Sequence, residues 1–79
     1  MRIYLERVDV AAGMARFYAV KVVPNLFGEW TMLREWGRIG QGGTVRDVVF
    51  GSEIEALGAA ITLVRAKQRR GYVEVGAAC

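Results

Sequence analysis

Several residue types that build common active sites are scarce or missing in this chain of 79 residues. There is no histidine, one serine (Ser52) and one cysteine (Cys79). These absences exclude Ser-His-Asp and Cys-His catalytic triads, histidine-ligated or four-cysteine zinc sites, and an internal disulfide. The carboxylates also lack a spacing typical of metal binding or acid–base catalysis. The sequence therefore predicts no enzymatic activity, no metal and no cofactor.

Long apolar runs are missing as well. The first ten residues carry charges at Arg2, Glu6, Arg7 and Asp9, which neither a signal peptide nor a membrane span would tolerate. With one terminal cysteine that has no pairing partner, the chain is expected to be cytoplasmic and to bind no membrane. A hydrophobic fraction of 53% suits a single domain over residues 1–79 with a small core.

The charge balance is only mildly basic. Eleven basic residues stand against eight acidic ones, which gives a net charge of +3. Nine of the basic residues are arginine, the side chain that binds phosphates through two parallel hydrogen bonds. A GC-rich genome would also enrich arginine, so the composition alone does not identify a nucleic-acid partner.

Short β-branched and aromatic segments between glycines predict strands rather than helices. The strands are expected at residues 3–10, 16–23, 29–36 and 44–50, with a short strand or extended tail at 72–75. Residues 37–43 contain four glycines and are predicted to form a turn with several unusual backbone angles. The short connections favour antiparallel pairing, with the third and fourth strands forming a hairpin.

One amphipathic helix is predicted at about 52–70. Ser52 and Glu55 have the spacing of a capping box, and Gly71 is placed to end the helix in a left-handed conformation. The stripe of Ile54, Leu57, Ile61 and Val64 is expected to face the sheet. The predicted fold class is α+β, an antiparallel sheet of four to five strands with this helix packed on one face.

The segment Trp36-Gly37-Arg38 is the strongest candidate for a binding site. Strand alternation places Trp30, Met32, Arg34 and Trp36 on one face. An indole flanked by the guanidinium groups of Arg34 and Arg38 is typical of sites that hold a base, a sugar and their phosphates. The alternative is that Trp36 is a core residue and Arg38 a solvated neighbour.

Cations also gather where the predicted helix ends. Arg65 and Arg69 lie four residues apart, which would align them as a phosphate-tracking edge, with Arg70 next in the chain. The alternative explanation is that these cations complement the helix dipole and improve solubility.

The run Trp36-Gly37-Arg38-Ile39-Gly40 resembles the signature of the WGR domain, a small module named after that tripeptide. The resemblance extends in the family's order over about residues 3–75, including segments 16–18, 25–30 and 67–72. The chain is thus identified as a single WGR-like domain. It is more similar to the stand-alone bacterial form than to the WGR module of the poly(ADP-ribose) polymerases that respond to DNA damage.

The resemblance implies nucleic-acid binding. In those polymerases the tryptophan of the tripeptide packs on the sugar-base part of a nucleotide near a DNA break, and the arginine contacts the backbone. Carried over, this makes Trp36 the platform and Arg38 the backbone contact, and Gly37 permits close approach. A further contact of the polymerases falls near Arg16, whose charge is the candidate here. The polymerases' catalytic, zinc-finger and regulatory domains have no counterpart within these residues.

The function expected from these observations is nucleic-acid binding in DNA repair, at DNA ends, nicks or single-stranded junctions, with DNA favoured over RNA. The predicted site residues are Trp36, Gly37, Arg38, Arg34, Arg16, Arg65, Arg69 and Arg70. The alternative is a protein–protein interaction module that uses the same aromatic and arginine surface. A monomer is favoured over a homodimer formed through a free sheet edge.

Overall fold

The computed structural model describes residues 1–75, so Cys79 and the frayed tail predicted at 76–79 lie outside the described residues. Five strands and one helix follow one another along the chain. They are β1 (Arg2–Asp9), β2 (Met14–Pro24), β3 (Trp30–Arg38), β4 (Thr44–Phe50), α1 (Glu53–Arg69) and β5 (Val73–Glu74). No helix among these residues is long and apolar enough to cross a membrane.

The five strands form one antiparallel sheet in the order β4-β3-β2-β1-β5. Helix α1 packs on one face, which we call the packed face, mostly over β2 and β3. We call the opposite side of the sheet the open face. The α+β fold is as predicted, and so is the hairpin between β3 and β4. Strand β4 is one edge of the sheet.

The core lies between α1 and the packed face. Leu5 and Val20 are its largest fully buried side chains, and Tyr18, Val22 and Met32 complete the sheet's contribution. The register pairs Tyr18 with Trp36 and Val22 with Met32, which confirms that the even residues of β3 share one face. A core this small leaves Trp36 and Arg38 at the rim of the packed face.

The ends of α1 form as predicted. The Glu55 N–H donates to Ser52 Oγ at 3.3 Å, and Ser52 Oγ donates to Glu55 Oε1 at 3.1 Å. Gly71 has a φ of +95°, and the Tyr72 N–H donates to the Lys67 carbonyl at 3.1 Å. The helix therefore begins and ends where local sequence signals place it.

The predicted stripe on α1 is wrong in part. Ile54 is 83% exposed and Ile61 is 43% exposed, whereas Ala56, Ala60 and Val64 are buried. The small alanines let the helix backbone approach the sheet closely, so they occupy the centre of the contact. Leu57 packs beside them, as expected.

Strand β3 continues through Gly37 to Arg38, so the predicted turn at 37–43 begins two residues too early. Within that segment only Gly40 has a positive φ, of +86°, which corrects the expectation of several unusual backbone angles. Gly37 is an ordinary strand residue opposite Phe17 of β2. The tripeptide is therefore held rigidly by the sheet rather than by a loop.

Candidate functional site

Trp36 lies half-buried near the end of β3, on the packed face of the sheet. Its ring stacks on Tyr18, with ring centroids 6.0 Å apart and planes 19° apart. The Arg34 guanidinium carbon is 5.3 Å from the indole centroid, in cation–π geometry. Trp36 thus packs against the core and also lines two grooves.

The first groove runs along the start of β2 and the end of β3, beside the turn between β1 and β2, and has a volume of about 550 Å³. Its charged side chains are Arg16, Arg38 and Lys67, and no carboxylate of residues 1–75 lines it. Trp36 and Tyr72 supply aromatic surface beside these cations. A groove with this lining can hold an anion next to an apolar ring.

Three arginines cross the sheet in one row at this end. The register pairs Arg7 with Arg16 and Arg16 with Arg38, so the three lie opposite one another on β1, β2 and β3. Like charges directly opposite on neighbouring strands are destabilising. A bound anion would relieve this repulsion, and phosphate matches the guanidinium geometry.

The second groove lies on the other side of Trp36, between β3 and the end of α1, and has a volume of about 400 Å³. Its charged side chains are Arg34, Lys67 and Arg70, again with no carboxylate from the described part of the chain in the lining. Lys67 belongs to both grooves. The indole therefore stands between two pockets whose charged groups are all cationic.

Lys67 shows the effect of this crowding. Burial lowers the pKa of Lys67 below its ordinary value of 10.5, and the charges of Arg70 and Arg34 lower it further. The ammonium nitrogen lies 4.7 Å from the centroid of the Tyr18 ring and 5.6 Å from that of the Tyr72 ring. Cation–π contact with two aromatic rings keeps the lysine at the junction of the two grooves.

Two polar atoms in the wall of the second groove are buried without a hydrogen-bond partner among the described residues. They are the Tyr18 hydroxyl and Arg34 Nε. Buried polar atoms are usually paired, so each lowers the stability of the fold. The cationic groove therefore carries a local energetic penalty.

Close packing explains why residue 37 is a glycine in this structure. A Cβ there would lie 3.1 Å from the Gly43 Cα and 3.5 Å from Phe17 Cε1. At Gly43 a Cβ would lie 2.7 Å from the Trp36 carbonyl oxygen and 2.8 Å from Phe17 Cζ. Both glycines thus let the segment after β3 fold against the open face, which fixes the strand that carries Trp36.

Six of the eight predicted site residues line the two grooves. They are Arg16, Arg34, Trp36, Gly37, Arg38 and Arg70. Arg65 and Arg69 are exposed and line neither groove. At 3.6 residues per turn, they lie on the side of α1 opposite Lys67. The structure does not bring this pair to the other candidates.

Sequence reasoning missed three residues of this region: Arg7, Lys67 and Tyr72. Lys67 lies four residues after Leu63, and this spacing places it on the groove side of α1. Arg7 joins the row through the register of β1 and β2, which no local signal reveals. Among residues 1–75 no cluster of three or more potential metal ligands is found.

Comparison with known proteins agrees with this description. The chain is 46% identical over 71 residues to the uncharacterized protein y4dW of Sinorhizobium fredii (strain NBRC 101917 / NGR234). The match covers 90% of this chain and 35% of that protein, so the chain spans about a third of its relative's length. No solved structure matches the chain.

The family comparison covers nearly every residue. WGR domains are modules of the nucleic-acid-binding type in proteins resembling the poly(ADP-ribose) polymerases. The family model of the WGR domain matches residues 1–78, which include all strands, the helix and both grooves. With a tryptophan, a glycine and an arginine at the end of β3, the chain belongs to the WGR domain family.

Proposed function

We propose that this chain binds DNA at ends, nicks or single-stranded junctions through the two grooves beside Trp36, in the repair of damaged DNA. The observation that carries the proposal is the position of the indole between pockets whose charged side chains are all cations. Nucleic acid combines flat aromatic bases with regularly spaced phosphates. A nucleic-acid strand can therefore offer a flat ring or sugar to the indole and a phosphate to each groove.

The first groove would take the sugar-phosphate backbone. Arg16 and Arg38 lie opposite each other on neighbouring strands, so one phosphate can accept hydrogen bonds from both guanidinium groups. Trp36 would then meet the sugar and base of the attached nucleotide. Arg34, Lys67 and Arg70 would meet the next phosphate on the other side of the indole.

A discontinuity in the DNA follows from the aromatic contact. In an intact duplex each base is stacked on both faces, so an indole reaches it only after unstacking. A terminal, nicked or single-stranded nucleotide leaves a face or a sugar edge accessible. This favours broken or single-stranded DNA over continuous duplex.

The protein-interaction alternative uses the same surface. A hot spot for another protein would ordinarily bury aromatic side chains with few unpaired charges. Here the row Arg7, Arg16 and Arg38 and the cluster around Lys67 place cations on both sides of Trp36. The surface therefore suits a polyanion better than an apolar protein partner.

The test is fluorescence anisotropy with a nicked duplex across a series of salt concentrations. We expect Arg38→Ala to lower the affinity and to reduce the slope of log K against log salt by about one phosphate contact. Arg65→Ala is the matched control, because it removes the same charge from the opposite side of α1. It should change affinity and slope less than Arg38→Ala does.

A second arm uses an uninterrupted duplex closed by a hairpin at each end. Equal affinity for this duplex and for the nicked one would contradict the preference for discontinuities. If the wild-type protein binds neither, nor a single strand, at about 50 mM salt, the proposal of nucleic-acid binding itself is wrong.

A further inference from the structure

The turn between β2 and β3 presents two large apolar side chains to solvent. Leu26 is 99% exposed and Phe27 is 84% exposed. They lie beyond Pro24 and Trp30, at the opposite end of β3 from Trp36 and Arg38. The proposed nucleic-acid site therefore gives them no role. We call the turn residues 25–29 the apolar tip.

Hydrogen bonds hold the apolar tip in this conformation. Asn25 Oδ1 accepts from the N–H groups of Phe27 and Glu29, each at 2.9 Å. The Asn25 N–H donates to the Glu29 carbonyl at 2.8 Å, and Gly28 has a φ of +78°. A turn fixed in this way pays little ordering entropy on binding.

The open face of the sheet contains a groove of matching chemistry. Tyr4, Ala19, Leu33 and Val45 form its apolar surface, and its volume is about 440 Å³. Within the described residues no helix covers this face, because α1 packs on the other side. The tip and the groove are thus apolar features that the isolated fold leaves without a partner.

Charge distinguishes the two features. Arg2 and Lys21 lie directly opposite each other on β1 and β2 at the border of the groove. Like charges in this arrangement repel, so an incoming carboxylate would be favoured. The tip carries Glu29, and residues 24–30 contain no lysine or arginine. Glu35 on the β3 side of the groove would repel a carboxylate, so the attraction is confined to the β1–β2 side.

We infer that the apolar tip of one copy of this chain docks in the open-face groove of a second copy. Leu26 and Phe27 enter the groove, and Glu29 lies near Arg2 and Lys21. The contact joins two different surfaces, so each copy keeps an unused tip or groove unless the pair is reciprocal. It lies apart from the surface around Trp36 and does not depend on the proposed function.

The association is weak. Two side chains bury on the order of 300 Å² of the tip, compared with about 800 Å² per partner in a stable complex. An anionic membrane is a less suitable partner for the tip. Its surface charge would repel Glu29 of the tip and also Glu53 and Glu55 in the first turn of α1. The first turn of α1 lies near the tip because two residues separate α1 from β4, and Phe50 of β4 pairs with Trp30 beside the tip.

Sedimentation velocity at protein concentrations from about 10 µM to about 1 mM tests the inference. We expect the wild-type protein to associate as concentration rises. The tip variant Leu26→Ser/Phe27→Ser and the groove variant Leu33→Lys should each shift the midpoint by at least about tenfold. Val10→Ser is the matched control, since Val10 is 89% exposed in another turn and should have no effect.

Mixing the two variants is the decisive arm. The tip variant retains an intact groove and the groove variant retains an intact tip, so the mixture should form heterodimers that neither variant forms alone. Because Leu33 is half-buried, Val45→Lys serves as a second groove variant at a position that is 53% exposed. Circular dichroism verifies that each variant folds.

Three results would overturn the inference. A wild-type protein that is monomeric at every concentration would leave the tip to a different protein partner or to a lipid surface. Association that persists in the tip variant would place the contact elsewhere, for example at the edge of β4. A mixture that stays monomeric, although the wild type associates, would show that tip and groove do not meet.

Discussion

The two ends of the β2–β3 hairpin differ in charge, in exposure and in the way that each is held in place. One end carries Trp36, which is half-buried, and Arg38, which is exposed. Both belong to β3, and further cations lie around them. The other is the apolar tip, which is fully solvated, carries a carboxylate and is fixed by the Asn25 side chain. A modest net charge of +3 thus conceals a separation between cationic grooves at one end of the hairpin and a carboxylate in the turn at the other.

Helix α1 reinforces this separation. Glu53 and Glu55 lie in its first turn and Lys67 and Arg69 in its last, as the helix dipole favours. Its cationic end meets Trp36, and its acidic end follows the strand that pairs beside the tip. A feature that stabilises the helix locally also adds cations to the end of the molecule that carries Trp36.

The largest expected effect separates the aromatic residues of the two ends. Trp36→Ala should weaken binding to a nicked duplex by roughly 1–3 kcal/mol, about 5- to 150-fold in Kd, because base or sugar contact with the indole is lost. Phe27→Ala removes an aromatic ring from the other end and should leave this Kd unchanged. Fluorescence anisotropy measures both.

Because Trp36 also stacks on Tyr18, loss of binding could reflect loss of packing. Trp36→Phe keeps an aromatic ring and should recover part of the affinity, while thermal unfolding reports stability for all three variants. Equal loss of affinity in Trp36→Ala and Phe27→Ala would remove the proposed distinction between the ends.

An intermediate effect concerns stability at the tip. Asn25→Ala removes two hydrogen bonds to backbone N–H groups and should lower the free energy of unfolding by about 1–2 kcal/mol. Urea denaturation measures the change. Nucleic-acid affinity should be unaffected, because the turn lies at the far end of β3. A weaker affinity for DNA would mean that the two ends are coupled through the hairpin.

The smallest effect concerns the protonation of Lys67. Arg70→Gln removes one of the charges that lower the pKa of Lys67, so this pKa should rise toward 10.5. Between the lowered pKa and 10.5 the unfolded chain binds more protons than the folded protein, so the free energy of unfolding increases with pH. The variant should show a smaller increase.

An NMR titration of the Lys67 side chain measures this change. Inorganic phosphate bound in the second groove should shift the same pKa upward in the wild-type protein, because it offsets the repulsion from Arg34 and Arg70. Glu6→Gln on the open face is a control and should leave the Lys67 pKa unchanged. A pKa that ignores both Arg70→Gln and phosphate would argue against an anion site there.

The parts of the fold that local signals determine were predictable. Residues 44–50 form β4 as expected, and the caps at Ser52 and Gly71 are where their residue types favour them. Strand alternation also placed Arg34 and Trp36 on one face of β3, which the register confirms. Each of these features depends on residues a few positions apart in the chain.

The features that depend on distant segments were not predictable. Which side of α1 meets the sheet depends on how closely two backbones approach, so Ala56 and Ala60 displaced the larger Ile54 and Ile61. The arginine row of β1, β2 and β3 needs two hairpin registers at once. For the same reason the sequence favoured Arg65 and Arg69 beside Arg70, whereas the second groove contains Arg70 together with Lys67.

Charged residues on the exposed edge strand β4 oppose its pairing with the β4 edge of a second copy. If two such edges joined about a two-fold axis with all seven residues of Thr44–Phe50 in register, residue 47 would meet its own duplicate, and two aspartates would stand face to face. If the two-fold axis lies at residue 46 instead of residue 47, two arginines stand opposite each other. The alternation of opposite charges at the strand's midpoint therefore discourages sheet extension and ribbon-like aggregation.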